Sequence, residues 1–223
     1  MQPESYFSNA RPEMLAFVPS QRRRVLEIGC GGGAFAQQLV KDCEYWGVEL
    51  SASAAERARR VGLDTVLVGE FQNVANDVPD GYFDVIICND VIEHVVAHEA
   101  FLNVVRSKLA IGGTLVGSIP NVRYVVNLLE VLVRRDWRYR DEGILDRTHV
   151  RFFTETSLRR TLDACGYDIL DLRGINTFSA PELAVWKRWA AMLVSRLLGS
   201  DTRFRQFGFA ARPRHDTRAN VQA

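Results

Sequence analysis

The chain has 223 residues and a mass of 25.2 kDa, with 47% hydrophobic and 25% charged residues. That is enough to bury a self-sufficient core, which excludes both a disordered chain and a small scaffold stapled by disulfides or metals. The charge sum is 28 − 27 = +1, so no global field marks a nucleic-acid binder and no nucleic-acid partner is expected.

Cys30, Cys43, Cys88 and Cys165 show neither a CxxC pair nor a histidine at zinc-finger spacing. No disulfide framework and no metal site are expected, and a reducing compartment is the default. Residues 1–20 lack an apolar leader run and no stretch of 18 apolar residues occurs, so the reading is cytoplasmic.

Short apolar runs alternate with helical patterns through the first 120 residues, the signature of βαβ units and a parallel sheet. Strands are predicted over Arg24–Ile28, Tyr45–Glu49, Thr65–Val68, Phe83–Cys88 and Thr114–Ser118, with helices over Ala34–Lys41, Ser51–Val61 and Glu99–Leu109. After Pro120 the alternation stops. Residues 122–151 are rich in arginine, tryptophan and tyrosine without a clean period, and read as an acceptor-side insertion or lid over the sheet. Thr154 suits the N-cap of a helix ending at Cys165, and Gly166 suits its left-handed terminator. Strands follow over Tyr167–Arg173 and Arg205–Arg212. Between them an amphipathic helix is predicted from Pro181 to Leu198. Its apolar face would pack on the domain, form a homodimer contact, or lie on a membrane, and the segment 181–218 carries the excess of basic residues that a peripheral membrane contact would use. No repeat or second domain is apparent, so 1–223 reads as one α/β domain.

The densest information lies at Val25–Ala34, where four glycines occur in five residues directly after the first strand. A strand that turns sharply into a helix needs positive φ values, and a ligand against that turn needs a backbone without Cβ atoms. Glu49, twenty residues after Gly29 and at the end of the second strand, can accept both hydroxyls of a ribose. Gly29-x-Gly31-x-x-Ala34 also fits a dinucleotide fingerprint. Against a dinucleotide stand Glu27, whose charge would repel a pyrophosphate but suits a cationic ligand with an amino group, and the lack of a Tyr-x-x-x-Lys pair.

On these residues the chain resembles the class I S-adenosylmethionine-dependent methyltransferases. Residues 27–33 look like their first motif, residues 69–71 are similar to the adenine-holding segment, residues 83–94 look like their fourth-strand motif, and residues 109–115 are similar to the turn before their fifth strand. The resemblance implies a Rossmann-like sheet ordered 3-2-1-4-5-7-6, the last strand antiparallel, and S-adenosylmethionine as cofactor. It implies a cofactor set of Glu27, Gly29, Gly31, Gly33, Glu49, Leu50, Glu70, Phe71, Asn89 and Asp90. Glu49, Glu70 and Asp90 also have structural alternatives as strand-end, capping or surface acids.

For the acceptor side, Asn121 follows the fifth strand at the carboxyl edge of the sheet, where ligands of such folds bind. If residues 146–154 are extended, Arg147, His149 and Arg151 share one face. A segment of this kind, ending in His-x-x-Phe-Phe-Thr, is similar to one in methyltransferases of glycan and lipopolysaccharide biosynthesis, which implies a sugar hydroxyl as acceptor. A hydroxyl needs a base to take its proton, and histidine suits that task near neutral pH. His149 is the first candidate and His94 the second, with Asp146 orienting whichever imidazole acts; capping and packing are their structural alternatives. Arg123, Arg147 and Arg151, with Asn121, would hold an acidic acceptor group, or else pair with Asp136, Asp141, Glu142 and Asp146 in a solvated lid.

The expected function is thus O-methylation of a small or glycan hydroxyl. The alternatives are a carbon, nitrogen or carboxyl methyltransferase of quinone or amino-acid metabolism, a nicotinamide oxidoreductase, and a non-catalytic scaffold.

Overall fold

The structure, a computed structural model, describes residues 10–177 and 193–214. Its strands arise where branched and aromatic residues run together and both faces are covered, as in parallel sheets. They are β1 (Arg24–Ile28), β2 (Glu44–Glu49), β3 (Thr65–Val68), β4 (Phe83–Asn89), β5 (Leu109–Pro120), β6 (Tyr167–Thr177) and β7 (Phe204–Pro213). They form one sheet in the order 3-2-1-4-5-7-6. β1 to β5 pair in parallel, and β7 runs antiparallel to β5 and β6, as the resemblance implies.

The helices are α1 (Ala52–Val61), α2 (Phe71–Val74), α3 (His98–Lys108), α4 (Val125–Arg134) and α5 (Glu155–Ala164). α1 begins where Ser51 Oγ accepts from the Ala54 amide and ends at Gly62, φ 102°. α5 begins with a Thr154 capping box, and Gly166 beyond it has φ 77°, as its sequence predicts.

Alternating strand residues divide the core between the two faces of the sheet. Leu26, Ile86 and Cys88 point to the side covered by Phe101 and Leu102 of α3 and Leu158 and Leu162 of α5. Val25, Val85 and Ile87 point to the side covered by Ala55 and Ala58 of α1 and by Met14 and Phe17 of an N-terminal 3₁₀ turn. The Phe17 ring fills the place of a side chain at Gly208, where a Cβ would lie 2.6 Å from it.

Three elements differ from the sequence reading. The helix predicted over Ala34–Lys41 is two separate 3₁₀ turns, Ala36–Gln38 and Val40–Asp42, neither with a side-chain cap. The glycine loop consumes the residues that would form a first helical turn, and no capping side chain starts a new one. The predicted turn at residues 109–115 lies within β5, whose register against β4 shifts at Phe83/Val85; Gly112, φ 78°, supplies the kink of this bulge. The segment without a clean period contains α4, which buries Asn127 and Glu130 and exposes Leu132 and Val133, the reverse of the usual pattern. The helix predicted over 181–198 falls mainly outside the described residues, of which 193–198 are helical.

Candidate active site

The carboxyl ends of β1, β2 and β4 and the loops beyond them enclose a cleft of about 1310 Å³. The glycine loop forms one wall. The amides of Gly29 and Cys30 both donate to the Val48 carbonyl, at 2.8 and 3.2 Å, which bends the chain away from β1. Gly29 has φ 75°, and a Cβ there would lie 2.9 Å from Val91 Cγ2. Gly31, φ 54°, donates its amide to Glu49 Oε2 at 2.9 Å, while Glu49 Oε1 accepts from the Ser51 amide at 2.8 Å. Gly33 stands apart from the cleft; a Cβ there would meet Ala58 and Val61 of α1 at 3.2 Å, so it serves close packing of the loop on the helix.

Glu27 is buried at the base of the cleft and accepts from the Tyr45 hydroxyl at 2.9 Å. Burial pushes its carboxyl up to about 8, the Tyr45 bond opposes this, and the Glu49 charge adds to it. The strand tip expected to be anionic therefore holds a proton readily when nothing cationic faces it. Leu50, Glu70, Phe71 and Asn89 also line the cleft. Both side-chain polar atoms of Asn89 are buried without a partner among the described residues.

Asp90, φ 53°, lies in a network at the cleft edge. Its carboxylate accepts from the Arg11 guanidinium, from Ser118 Oγ at 2.9 Å and from Gln206 Nε2 at 2.8 Å. Burial works against the Arg11 charge, but Asp90 and Glu13 outweigh it and raise the Arg11 pKa. Arg11 lines the cleft and has no counterpart in the sequence reading, because nothing in the N-terminal segment shows that it folds back beside β4.

The opposite wall comes from the loop after β4 and from residues 142–149. Asp146 and His149, both buried, reach the cleft, as do Glu93 and His94. His149 Nδ1 lies 2.9 Å from the Ile144 carbonyl and His94 Nδ1 lies 3.2 Å from the Thr148 carbonyl. A carbonyl only accepts, so each Nδ1 carries the hydrogen and each Nε2 keeps its lone pair. Burial first, and then the neighbouring His149, lower the His94 pKa. Burial, aided by the Asp90 charge, holds the Glu93 carboxyl well above the usual range. Neither Glu93 oxygen nor His94 Nε2 has a partner among the described residues.

One ligand atom from each of Glu93, His94 and His149 lies within 4.8 Å of the others. Such a set can share protons or hold a divalent cation. No metal site was expected from the sequence, since these ligands meet only when residue 149 folds over the β4 loop. Glu93 itself was missed; its signal was an acid beside a histidine directly after a buried strand.

The expected role of Asp146 is corrected by its contacts. Its Oδ1 accepts from the Thr148 amide and hydroxyl at 2.8 and 2.7 Å, so it shapes the turn, and the carbonyls of Ile144 and Thr148 orient the imidazoles. Nor is the segment extended: the His149 amide donates to Asp146 O at 3.0 Å. Hence Arg147, His149 and Arg151 do not share a face. Arg147 is exposed and pairs with Asp141 at 3.0 Å, as the lid alternative had it, and Arg151 donates to the Val96 carbonyl at 2.8 Å. Asn121 is buried away from the cleft, donating to the carbonyls of Asp201 and Phe204 at 2.9 and 3.0 Å. Arg123 binds the Asp201 carboxylate at 2.6 Å. These four residues hold the insertion and the start of β7 in place.

Residues 4–172 match the family described as "Methyltransferase domain". The chain belongs to this methyltransferase family. It is 28% identical over 159 residues to the mitochondrial ubiquinone biosynthesis O-methyltransferase of Schizosaccharomyces pombe, covering 69% of this chain and 58% of that one. To the ubiquinone biosynthesis O-methyltransferase of Cereibacter sphaeroides it is 28% identical over 169 residues, covering 73% and 67%. The chain thus spans about three-fifths to two-thirds of these relatives. Among solved structures, a SAM-dependent methyltransferase from Archaeoglobus fulgidus has the same fold, with a TM-score of 0.64, 17% identity and 94% of each chain covered.

S-adenosylmethionine is the cofactor of class I methyltransferases, and this methyltransferase cleft fits it. Gly29 takes the left-handed turn that brings bare backbone to the cleft wall, Glu49 stands at the end of β2, Glu27 offers a carboxyl to an ammonium group, and the buried, unpartnered amide of Asn89 lines the same cleft.

Proposed function

We propose that this methyltransferase methylates a hydroxyl oxygen of a small phenolic acceptor of the quinone-precursor type. One observation carries the oxygen acceptor: two imidazoles line the cleft that holds the glycine loop, and each has Nδ1 tied to a backbone carbonyl, which leaves Nε2 as the basic nitrogen. The sugar acceptor implied by the His149 segment finds no support among the relatives reported above, which are named for ubiquinone biosynthesis. Their names support the phenolic acceptor and favour the quinone alternative.

The cofactor supplies a methyl group on a positively charged sulfur. The protein's part is to hold the two reactants at attack geometry, which is worth roughly 7–11 kcal/mol of barrier, and to remove the acceptor proton. Glu49 receives the ribose hydroxyls and Glu27 the ammonium. His149 takes the hydroxyl proton at Nε2, while the Ile144 carbonyl stabilises the charge that forms on the ring. A phenol, with a pKa near ~10, gives up its proton to an imidazole far more readily than a sugar hydroxyl does. Val95, Ile144 and Phe101 give the cleft apolar walls suited to an aromatic ring.

The test is methyl transfer from labelled S-adenosylmethionine to a dihydroxybenzoate with an apolar tail, beside a sugar nucleotide and a benzoate lacking hydroxyls. Methylation of the dihydroxybenzoate alone is expected. Transfer to the sugar would return the acceptor to the glycan class, and transfer to the plain benzoate would make it a carboxylate, which needs no base.

A further inference from the structure

A left-handed backbone is costly for any residue with a Cβ, and it persists where the surroundings fix it. Among the described residues four that are not glycine adopt it, and three of these, Arg11 at φ 47°, Asp90 at 53° and Asn176 at 55°, meet at one edge of the cleft. They come from the N-terminal segment, from the loop after β4 and from β6. β4 and β6 are not neighbours in the sheet, since β5 and β7 lie between them. The residue that joins them is Gln206, near the start of β7. Its Nε2 donates to both oxygens of Asp90, at 2.8 and 2.9 Å. Its Oε1 accepts from Asn176 Nδ2 at 2.7 Å and lies 3.5 Å from Arg11 Nη2. Asn176 Nδ2 also donates to Glu13 at 3.2 Å, Glu13 accepts from Arg11 Nε at 2.8 Å, and Arg11 returns to Asp90. The hydrogen bonds close a ring of side chains.

The ring has a direction. A glutamine amide has a donor end and an acceptor end of nearly the same shape, and its partners decide which way it faces. Donors from Asn176 and Arg11 claim the Gln206 oxygen, so the amino end meets the Asp90 carboxylate. Asp90 is where the chain leaves β4 for the 3₁₀ turn Ile92–His94. The far end of this loop is held by backbone, because the amides of Val150 and Arg151 donate to the Glu93 carbonyl at 2.9 and 3.0 Å. The near end has one backbone bond, from the Asp90 amide to Ser118 O at 3.2 Å, and otherwise hangs on the Asp90 carboxylate and its donors Arg11, Ser118 and Gln206.

We propose that Gln206, oriented by Asn176, is a positioning residue for methyl transfer: it holds Asp90 in its left-handed turn and so sets where Glu93 and His94 stand against His149. It acts through Asp90. Its effect on the rate rests on the acceptor wall read above, whereas the placement of the loop does not.

The test compares Gln206→Leu, Asn176→Gly and the double variant with the wild type, each checked by thermal melting. Glycine adopts the left-handed backbone freely, so Asn176→Gly removes the hydrogen bonds without adding strain. Two quantities are read: kcat with labelled S-adenosylmethionine and a tailed dihydroxybenzoate, and the NMR signals of nitrogen-labelled histidine rings, of which the chain has four. Each single variant should lower kcat at least about tenfold, toward the 100-fold that a displacement of about 1 Å can cost, and should move the His94 ring signals. The double variant should lose no more than the worse single one, because both changes act along one chain of bonds. An unchanged kcat or unmoved His94 signals in the folded variants would overturn the proposal, as would losses that multiply in the double variant. If Gln206→Leu does not fold, Asn176→Gly decides alone. Moved His94 signals in a protein whose wild type methylates no phenol would support the positioning and strike the acceptor reading instead.

Discussion

The rings of His94 and His149 meet edge to face with centroids 4.7 Å apart, and a backbone carbonyl fixes the Nδ1 of each. Two imidazoles so close cannot both take a proton without mutual repulsion, so one of them serves as base while the other stays neutral beside it. His149→Asn should keep the carbonyl bond and remove the basic nitrogen. The expected loss in kcat on a hydroxyl acceptor is about 10²- to 10⁴-fold, with S-adenosylhomocysteine affinity unchanged. Steady-state kinetics together with a binding titration separate the two effects.

Glu49 holds the amides of Gly31 and Ser51 through separate oxygens, leaving further lone pairs for the ribose. Glu49→Ala removes the charged acceptor and orphans both amides. Hydrogen bonds to charged groups contribute about 1.5–3 kcal/mol each, so calorimetry should show a 10- to 100-fold weaker S-adenosylhomocysteine complex, with the melting temperature of the free protein also lowered.

Glu27 makes both stability and binding depend on pH. Its carboxyl rises from the ordinary 4.5 to about 8 in the free protein. A raised carboxyl gives its full contribution below 4.5 and loses it as the pH climbs through about 8. The free protein should therefore lose stability across that window, and Glu27→Gln should flatten the loss. An ammonium beside Glu27 favours the ionised carboxyl, so binding S-adenosylhomocysteine near pH 7 should release close to ~1 proton, and above about pH 9 none. Titrations in buffers of different ionisation enthalpy measure this, and Glu27→Gln should abolish the release.

Gly29 and Gly81 both have positive φ, 75° and 60°, but only Gly29 has a neighbour where a Cβ would go. Alanine at either position bears a left-handed backbone penalty of roughly 1–2 kcal/mol, or about 2–8 °C in melting temperature at this size. Gly29→Ala also collides with Val91 and narrows the cofactor wall. It should lose S-adenosylhomocysteine binding, while Gly81→Ala should bind normally.

Where local pattern and tertiary setting agree, the chain is legible from its residues. The strand that leads into the glycine loop, the Thr154 cap and the terminator Gly166 follow from period and capping chemistry. The sheet order came from the family resemblance, since periodicity alone does not order strands. The acceptor wall was only half legible. His94, Asp146 and His149 do reach the cleft, but Arg147 and Arg151 do not join His149, because the alternation was read on an extended segment and Asp146 folds it into a turn. Arg11 and Glu93 depend on contacts distant in sequence, and no local pattern carries those.

The most direct test of the proposed chemistry is to incubate the protein with S-adenosylmethionine bearing a deuterated methyl group and a tailed dihydroxybenzoate, then locate the label in the product by mass spectrometry and NMR. The predicted result is one deuterated methyl on a phenolic oxygen, formed by the wild type and almost absent with His149→Asn. Label on a ring carbon, or an oxygen product that forms equally fast without His149, would contradict it.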